Sequence, residues 1–308
     1  MSTGLYTPKA CLDHNTGHGH PERIQRLSAI LRLLDDPIYA ALDRREAPAA
    51  TRAQLARVHD ESYIEAVFDA VPREGFGQLD GDTVLSPASG EAALRAAGAV
   101  TAAVGAVLGG EVKNAFCAVR PPGHHAERDV AMGFCIFNNV AVGAAEALAV
   151  HDLARVAIFD FDVHHGNGTQ HIFAAEPRVL YASTHQSPLY PGTGAKSEKG
   201  VGNIVNAPLA PYAGSAEFRD ACETAILPAI DRFRPELIMV SAGFDAHRAD
   251  PLASLELETE DYAWITDRLV ELAKVHCQGR IVSTLEGGYD LNALAESATA
   301  HIYALQRA

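Results

Sequence analysis

Arg155-Val156-Ala157-Ile158-Phe159-Asp160-Phe161-Asp162-Val163-His164-His165-Gly166 begins as a strand and ends as a set of reactive side chains. Its first half is a continuous, β-rich apolar run, the pattern of a strand covered on both faces in a parallel sheet. Side chains two apart along a strand point the same way. The spacing therefore predicts that Asp160, Asp162 and His164 project together past the carboxyl end of the strand, where open α/β sheets bind their ligands. A carboxylate and an imidazole converging there make half a site for zinc or another divalent cation. Solvated punctuation is the plain alternative for any one charged residue at a strand end, so the reading needs support from elsewhere.

Three further strand-like runs supply it. Residues 115–119 lead into Arg120-Pro121-Pro122-Gly123-His124-His125, a rigid turn whose paired histidines suit metal ligation or general acid/base work. A turn with two surface histidines is the bland reading of the same residues. Residues 237–241 lead into Gly243-Phe244-Asp245-Ala246-His247, which offers a third acidic ligand. Residues 280–283 lead into Leu285-Glu286-Gly287-Gly288-Tyr289, where a Gly-Gly turn admits close backbone approach and delivers one tyrosine hydroxyl. Four strand ends bearing Asp/His, His-His, Asp and Tyr fit one shared site better than four unrelated turns.

Around these runs the hydrophobic spacing predicts helices at 21–34, 60–68, 87–108, 139–150, 167–174, 215–231 and 259–276, with a last one from about residue 292. Strands are expected near 115–119, 155–160, 178–183, 237–241 and 280–284, and a Gly/Pro/Asp-rich loop at 71–86. The alternation predicts an α/β chain with one parallel sheet flanked by helices on both faces, as a single domain over 1–308. The small-residue run 96–110 reads as a helix packed under the sheet, too short to span a bilayer.

Composition narrows the function classes. The chain has 308 residues, 48% of them hydrophobic, enough for a sizeable core. With 25 Lys+Arg against 39 Asp+Glu, the net charge is −14, which disfavours nucleic acid as a partner; it would attract cationic substrates, or merely keep the protein soluble. Cys11, Cys117, Cys135, Cys222 and Cys277 are scattered, odd in number and outside any Cys-x-x-Cys pattern. Reduced thiols in the cytoplasm are expected, with no signal peptide and no membrane association.

The chain resembles the zinc-dependent histone deacetylase family, which includes bacterial deacetylase-like proteins and acetylpolyamine amidohydrolases. The matching residues are His20-Pro21-Glu22 with Arg26, Arg120 to His125, and Gly133-Phe134-Cys135-Ile136-Phe137-Asn138-Asn139. They continue with Asp160 to Gly168, Ser183-Thr184-His185, Tyr190-Pro191-Gly192-Thr193-Gly194, Gly243 to Asp245, Asp250-Pro251-Leu252 and Glu286 to Tyr289. All run in the family's order across nearly the whole chain. Asn167 points to the class II branch, because class I members carry an aspartate there.

The resemblance implies an arginase-like fold and a hydrolase that removes acetyl or acyl groups from lysine side chains or similar amides. It implies one zinc ion held by Asp162, His164 and Asp245, with a coordination position left for water and a carbonyl. His125 would carry the proton, with His124 as its electrostatic partner, Asp160 orienting His124 and Asn167 holding His125. Tyr289 would donate to the oxyanion. Phe134 and Tyr190 resemble the walls of an acyl-lysine tunnel, Tyr190 standing where phenylalanine is more usual. Gly133 and Gly288 would admit close backbone approach, and Arg26 matches an arginine lining a channel for acetate. Asp82 would accept from a peptide backbone at the rim. Leu252 stands where polyamine-selective relatives carry an acidic gatekeeper. A potassium ion is implied through Asp160, Asp162, His164, the Thr184 carbonyl and the Ser183 hydroxyl.

The remaining histidines read more plainly. His165 is expected to be buried and hydrogen-bonded, and His14, His18 and His20 to line the loop at the site entrance; Cys135 reads as a small core residue. An acylated lysine peptide or a small acetylated amine is the expected partner, and the oligomeric state stays open. Two other classes compete: a manganese hydrolase of the arginase type, which needs several Asp-x-His elements, and a non-catalytic acyl-lysine binding protein, which would have lost a ligand or the tyrosine.

Overall fold

All five strands read from the sequence form, and three more join them in a single sheet. The computed structural model describes residues 2–308. The strands are β1 (Thr3–Tyr6), β2 (Asp43–Arg45), β3 (Gly77–Gln78), β4 (Val84–Leu85), β5 (Asn114–Cys117), β6 (Val156–Asp160), β7 (Val179–Gln186), β8 (Ile204–Leu209), β9 (Leu237–Ala242) and β10 (Ile281–Leu285). The helices are α1 (Ile24–Leu33), α2 (Arg52–Leu55), α3 (Glu61–Ala70), α4 (Ser89–Leu108), α5 (Asn139–Ala149), α6 (Asn167–Phe173), α7 (Ser215–Ala221), α8 (Leu227–Phe233), α9 (Thr259–His276) and α10 (Leu291–Gln306). β3 and β4 form a small antiparallel pair within the Gly/Pro/Asp-rich loop. The other eight strands run in the order β2-β1-β5-β10-β9-β6-β7-β8, with every pair parallel.

The central strands are buried residue for residue, which is why they read as continuous apolar runs. The strands that the sequence concealed lie toward the edges. β2 is Asp43-Arg44-Arg45, too short and polar to stand out. β8 contains Pro208, which argues against a central strand. Tyr181 N donates to Asn203 O and Ser187 N to Leu209 O, so the odd-numbered residues face β7. Pro208 therefore turns its missing N–H to the open edge, where it costs no ladder bond and blunts further pairing.

α4 is long and apolar enough to cross a membrane by length and composition, but most of it is buried in this fold, packed against α5 and β5. One expectation needs correction. The helix foreseen at 215–231 is two helices, α7 and α8, joined by a π turn at Cys222–Ile226. Pro228, in the first turn of α8, has no N–H to continue the ladder, and the widened turn takes up the mismatch.

Candidate active site

β5, β10, β9 and β6 are neighbours, so the four strand ends singled out in the sequence meet on one rim of the sheet. Register brings them level: Asp160 lies beside Ser241, and Ser241 beside Thr284. β6 stops at Asp160, earlier than the alternation argument assumes. Beyond it the chain turns, and a period of two no longer sets side-chain direction. Asp162 and His164 converge with Asp245, whereas Asp160 turns away to His124 and Tyr181.

The ligand atoms of Asp162, His164 and Asp245 lie within 4.8 Å of one another. His164 Nδ1 is 3.2 Å from Asp162 Oδ1 and 3.1 Å from Asp245 Oδ2. Backbone amides aim both carboxylates. Asp162 accepts from His164 N at 2.9 Å and Gly287 N at 2.8 Å, and Asp245 accepts from Val163 N at 2.9 Å. A Cβ on Gly287 would stand 2.1 Å from Asp245 Oδ2 and 2.6 Å from Asp162 Oδ2, so only glycine lets that amide approach. Burial alone would lower the His164 pKa; hydrogen bonds and charge from the two carboxylates outweigh it and push it up to about 10. The trio thus draws positive charge to itself, and a donor set of two carboxylates and one imidazole fits a divalent cation such as zinc. A second group of ligand-type side chains, His124, Cys135 and Glu286, is differently employed. The Glu286 carboxylate accepts from Gly123 N at 2.7 Å, His124 N at 3.1 Å and Ser241 Oγ at 3.1 Å, which pins the tandem-histidine turn to β10.

The two histidine rings sit 4.1 Å apart, and their surroundings push their pKa values in opposite directions. Burial disfavours the charged form of both. For His124 the carboxylates of Asp162 and Asp160 prevail and hold its pKa well above the ordinary value; its Nδ1 lies 3.0 Å from Asp160 Oδ2. His125 is held well below by burial, then by the charges of His124 and His164. Asn167 Oδ1 accepts from His125 Nδ1 at 2.8 Å, and the amide orientation is fixed because Asn167 Nδ2 donates to Glu127 Oε1 at 2.8 Å. Nδ1 of His125 therefore carries the hydrogen, and Nε2 keeps a lone pair. Pairs whose environments separate their pKa values in this way characterise acid/base sites.

Above this machinery lies a narrow cavity of about 180 Å³, lined by Asp82, His125, Gly133, Phe134, His164, Tyr190, Leu252 and Tyr289. The Tyr190 ring meets His125 edge-to-face at 5.3 Å, and Phe134 meets Tyr289 at 5.9 Å. A larger groove of about 640 Å³ lies beside β8, but it is lined by no member of either ligand cluster found among the described residues. Two residues expected at the substrate do not line the cavity. Arg26 is fully buried behind it, donating from Nε to Gly288 O and from Nη2 to Glu286 O, both at 2.5 Å, with its guanidinium 4.9 Å from the centre of the Tyr289 ring. Gly288 is the carbonyl it grips. Glu22 neutralises Arg26 at 3.0 Å and also pairs with Arg120.

The N-terminal histidines divide. His20 stands at the entrance, edge-on to Phe134 at 4.8 Å and bonded to Asp82 O at 3.1 Å, and His18 is exposed. His14, expected beside them, is instead buried, bonded to Ser89 Oγ at 2.8 Å and 3.5 Å from Glu22. His165 is buried between Thr193 and Gln170, as expected. Ser183 and Thr184 are buried on β7 beside Asp160, with Ser183 Oγ 2.9 Å from His185 Nδ1. Sequence reasoning missed the work of Glu286, Tyr181 and Glu22. The available signal was a polar or charged group inside an otherwise apolar strand, at its end, or in a matched motif.

Comparison with known proteins agrees with this geometry. The histone deacetylase domain family matches residues 20–305. A Pseudomonas aeruginosa protein named histone deacetylase-like amidohydrolase is 42% identical over 291 residues, covering 93% of this chain and 75% of the relative. An Archaeoglobus fulgidus probable deacetylase is 40% identical over 298 residues, covering 94% of this chain and 82% of the relative. A crystal structure of the HDA15 HD domain matches with a TM-score of 0.94 at 37% identity, over 100% of this chain and 89% of that one. With the fold, the strand-end site and these matches in agreement, the chain belongs to the histone deacetylase family.

Proposed function

We propose that this protein hydrolyses the acyl amide of an acylated lysine side chain, with one zinc ion as its metal. Membership of a family whose relatives are named deacetylases and amidohydrolases makes it a hydrolase of amide bonds. One observation carries the rest: His164 of the Asp162–His164–Asp245 trio, His125 with its pKa held low, and Tyr289 line one narrow cavity.

Asp162, His164 and Asp245 would hold the zinc, which when bound polarises the amide carbonyl and acidifies a water. The residues of the chain do the remainder. His125 Nε2 takes a proton from the attacking water, and the Nδ1–H···Asn167 bond keeps the ring in the required tautomer. His124, whose protonated form Asp160 favours at 3.0 Å, stabilises negative charge developing beside it. Tyr289 donates its hydroxyl to the oxyanion. As the C–N bond breaks, His125 returns the proton to the leaving amine. Phe134 and Tyr190 flank the alkyl chain, with Gly133 and Leu252 completing the wall and Asp82 at the rim. A potassium ion held through Asp160, Asp162, His164, Ser183 and the Thr184 carbonyl belongs to the same proposal. So does a reducing, cytoplasmic setting, supported by five buried cysteines, all free.

Asp162→Ala and Asp245→Ala should lose zinc and activity together, read by metal analysis and turnover of an acetyl-lysine peptide. Two equivalents of manganese per chain at full activity would replace zinc with the arginase-type reading.

An acetylated polyamine is the second substrate reading, and the rim favours it. Asp82 lines the cavity of a chain carrying −14, and burial and the neighbouring Asp80 carboxylate raise its pKa. Against it, Leu252 puts an apolar side chain where a distal ammonium would need a partner. A carboxylate–ammonium contact in a partly desolvated tunnel is worth about 1.5–3 kcal/mol, roughly ten- to a hundredfold in specificity. kcat/KM across acetyl-lysine peptides, longer acyl-lysines, acetylputrescine and acetylspermidine decides the matter. The lysine reading fails if either polyamine leads every peptide by that margin.

A further inference from the structure

We propose that Asp250 is a positioning residue for the reaction, tying the hydroxyl donor Tyr289 to the cavity wall at Leu252. The proposal rests on the reading of Tyr289 as donor. Asp250 lies on the loop after β9 and is buried, its own N–H donating to His247 O at 2.8 Å. Its carboxylate spans two segments distant in the chain. Oδ1 accepts from Leu252 N at 3.0 Å, while Oδ2 accepts from Tyr289 N at 2.6 Å and Asp290 N at 3.4 Å. Leu252 and Tyr289 both line the cavity, and Asp250 does not.

Among the described residues Asp250 has no basic partner. Burying a carboxylate without a counter-charge is expensive, and three N–H donors offset that cost only with the loops in this one arrangement. Helix capping does not account for it. The N-cap of α10 is Asp290, whose own side chain accepts from Asn292 N and Ala293 N. The amides that Asp250 holds belong to the donor's segment.

That segment is gripped from two sides. Arg26 binds the carbonyls of Glu286 and Gly288 and lies over the Tyr289 ring, while Asp250 binds the amides of Tyr289 and Asp290. Arg26 alone leaves the peptide at Tyr289 free to rotate. Asp250 removes that freedom, and it does so by referring the donor to the wall against which the acyl group lies. An oxyanion donor displaced by a fraction of an ångström loses most of its effect, so such a clamp acts on turnover more than on substrate affinity.

The test is a double-mutant cycle on the zinc-loaded enzyme with an acetyl-lysine peptide. An asparagine at position 250 can turn its oxygen to Tyr289 N or to Leu252 N, but its NH2 then faces the other amide. Asp250→Asn should lower kcat roughly ten- to thirtyfold with KM within about threefold of wild type, at unchanged zinc content and melting temperature. In a Tyr289→Phe background the same substitution should change kcat by less than about twofold, because the hydroxyl it positions is gone. Wild-type kcat in Asp250→Asn, or an equal fold-loss in both backgrounds, overturns the proposal while leaving Tyr289 as donor. Wild-type kcat in Tyr289→Phe alone overturns the donor reading and this proposal with it. If Asp250→Asn does not fold, Asp250→Glu, which keeps the charge but moves the oxygens, is put through the same cycle with the same outcomes.

Discussion

Tyr289 reaches the cavity on a short loop after β10, backed by Arg26, and under the proposed mechanism its hydroxyl is the group that a mere binder of acyl-lysine would lack. Tyr289→Phe removes one oxygen and should leave the fold and zinc content intact. It should lower kcat by about 10²–10³, the usual cost of one oxyanion donor. Unreactive acyl-amide analogues should still bind. Near-normal turnover would mean that another group donates to the oxyanion. At this scale the sequence was most informative where chemistry and an unusual residue coincided: two adjacent histidines, Asp-x-His, Gly-Gly-Tyr. It was least informative where a common residue does its work by contact alone. Nothing in a single sequence separates Glu286, which fixes the histidine turn, from a solvated glutamate at a strand end. Arg26 read as an arginine lining a channel for acetate; in the fold its donors point at backbone carbonyls, a direction set by the chain some 260 residues away.

α4 and α5 show how the elements hold that rim in place. α4 is built largely from alanine, glycine and valine, so the chain before it and the sheet below can come close. Gly98 marks the tightest point: a Cβ there would stand 2.0 Å from Pro48 O and 2.7 Å from Ala50 N, both backbone atoms with little room to give. Gly98→Ala therefore sets two effects against each other. Alanine gains about 1 kcal/mol of helix propensity, while overpacking a backbone contact costs about 1–3 kcal/mol or more. With backbone on both sides the second effect should win, and a urea titration should show net destabilisation with kcat changed little. A stabilised Gly98→Ala variant would mean that the 48–50 segment is not held against α4. Helix and strand existence was legible wherever periodicity was strong and long. β8 was hidden by its edge proline, and α7–α8 ran together because the amphipathic pattern continues through the π turn.

Across the whole molecule the core buries several histidines whose charged form burial disfavours, and each of these rings ties stability to pH. His59 donates from Nδ1 to Glu127 O at 2.8 Å and accepts from Asn138 N at Nε2, 2.9 Å, so protonation would set two donors against each other. His301 sits between Thr266 Oγ1 at 2.6 Å and Ser283 Oγ at 2.8 Å, far from any carboxylate contact. Burial lowers their pKa values to about 4 and about 3. A histidine depressed in the folded state but ordinary in the unfolded one, near 6.5, binds more protons when unfolded. The contribution of these two rings to stability therefore falls as pH drops below about 6.5, and it continues to fall until each folded-state value is reached. Each ring should account for about 2 kcal/mol between pH 7 and pH 5, the linkage value for a group protonated only in the unfolded chain. His301→Gln isolates one of them. It should lower stability at pH 7 by losing a fitted hydrogen-bonded ring, yet flatten the pH 5–7 dependence by about one proton. Urea midpoints at pH 5, 6 and 7 for both proteins give the slopes directly. Equal slopes would mean that His301 already carries its proton inside the fold, against the burial that holds it neutral.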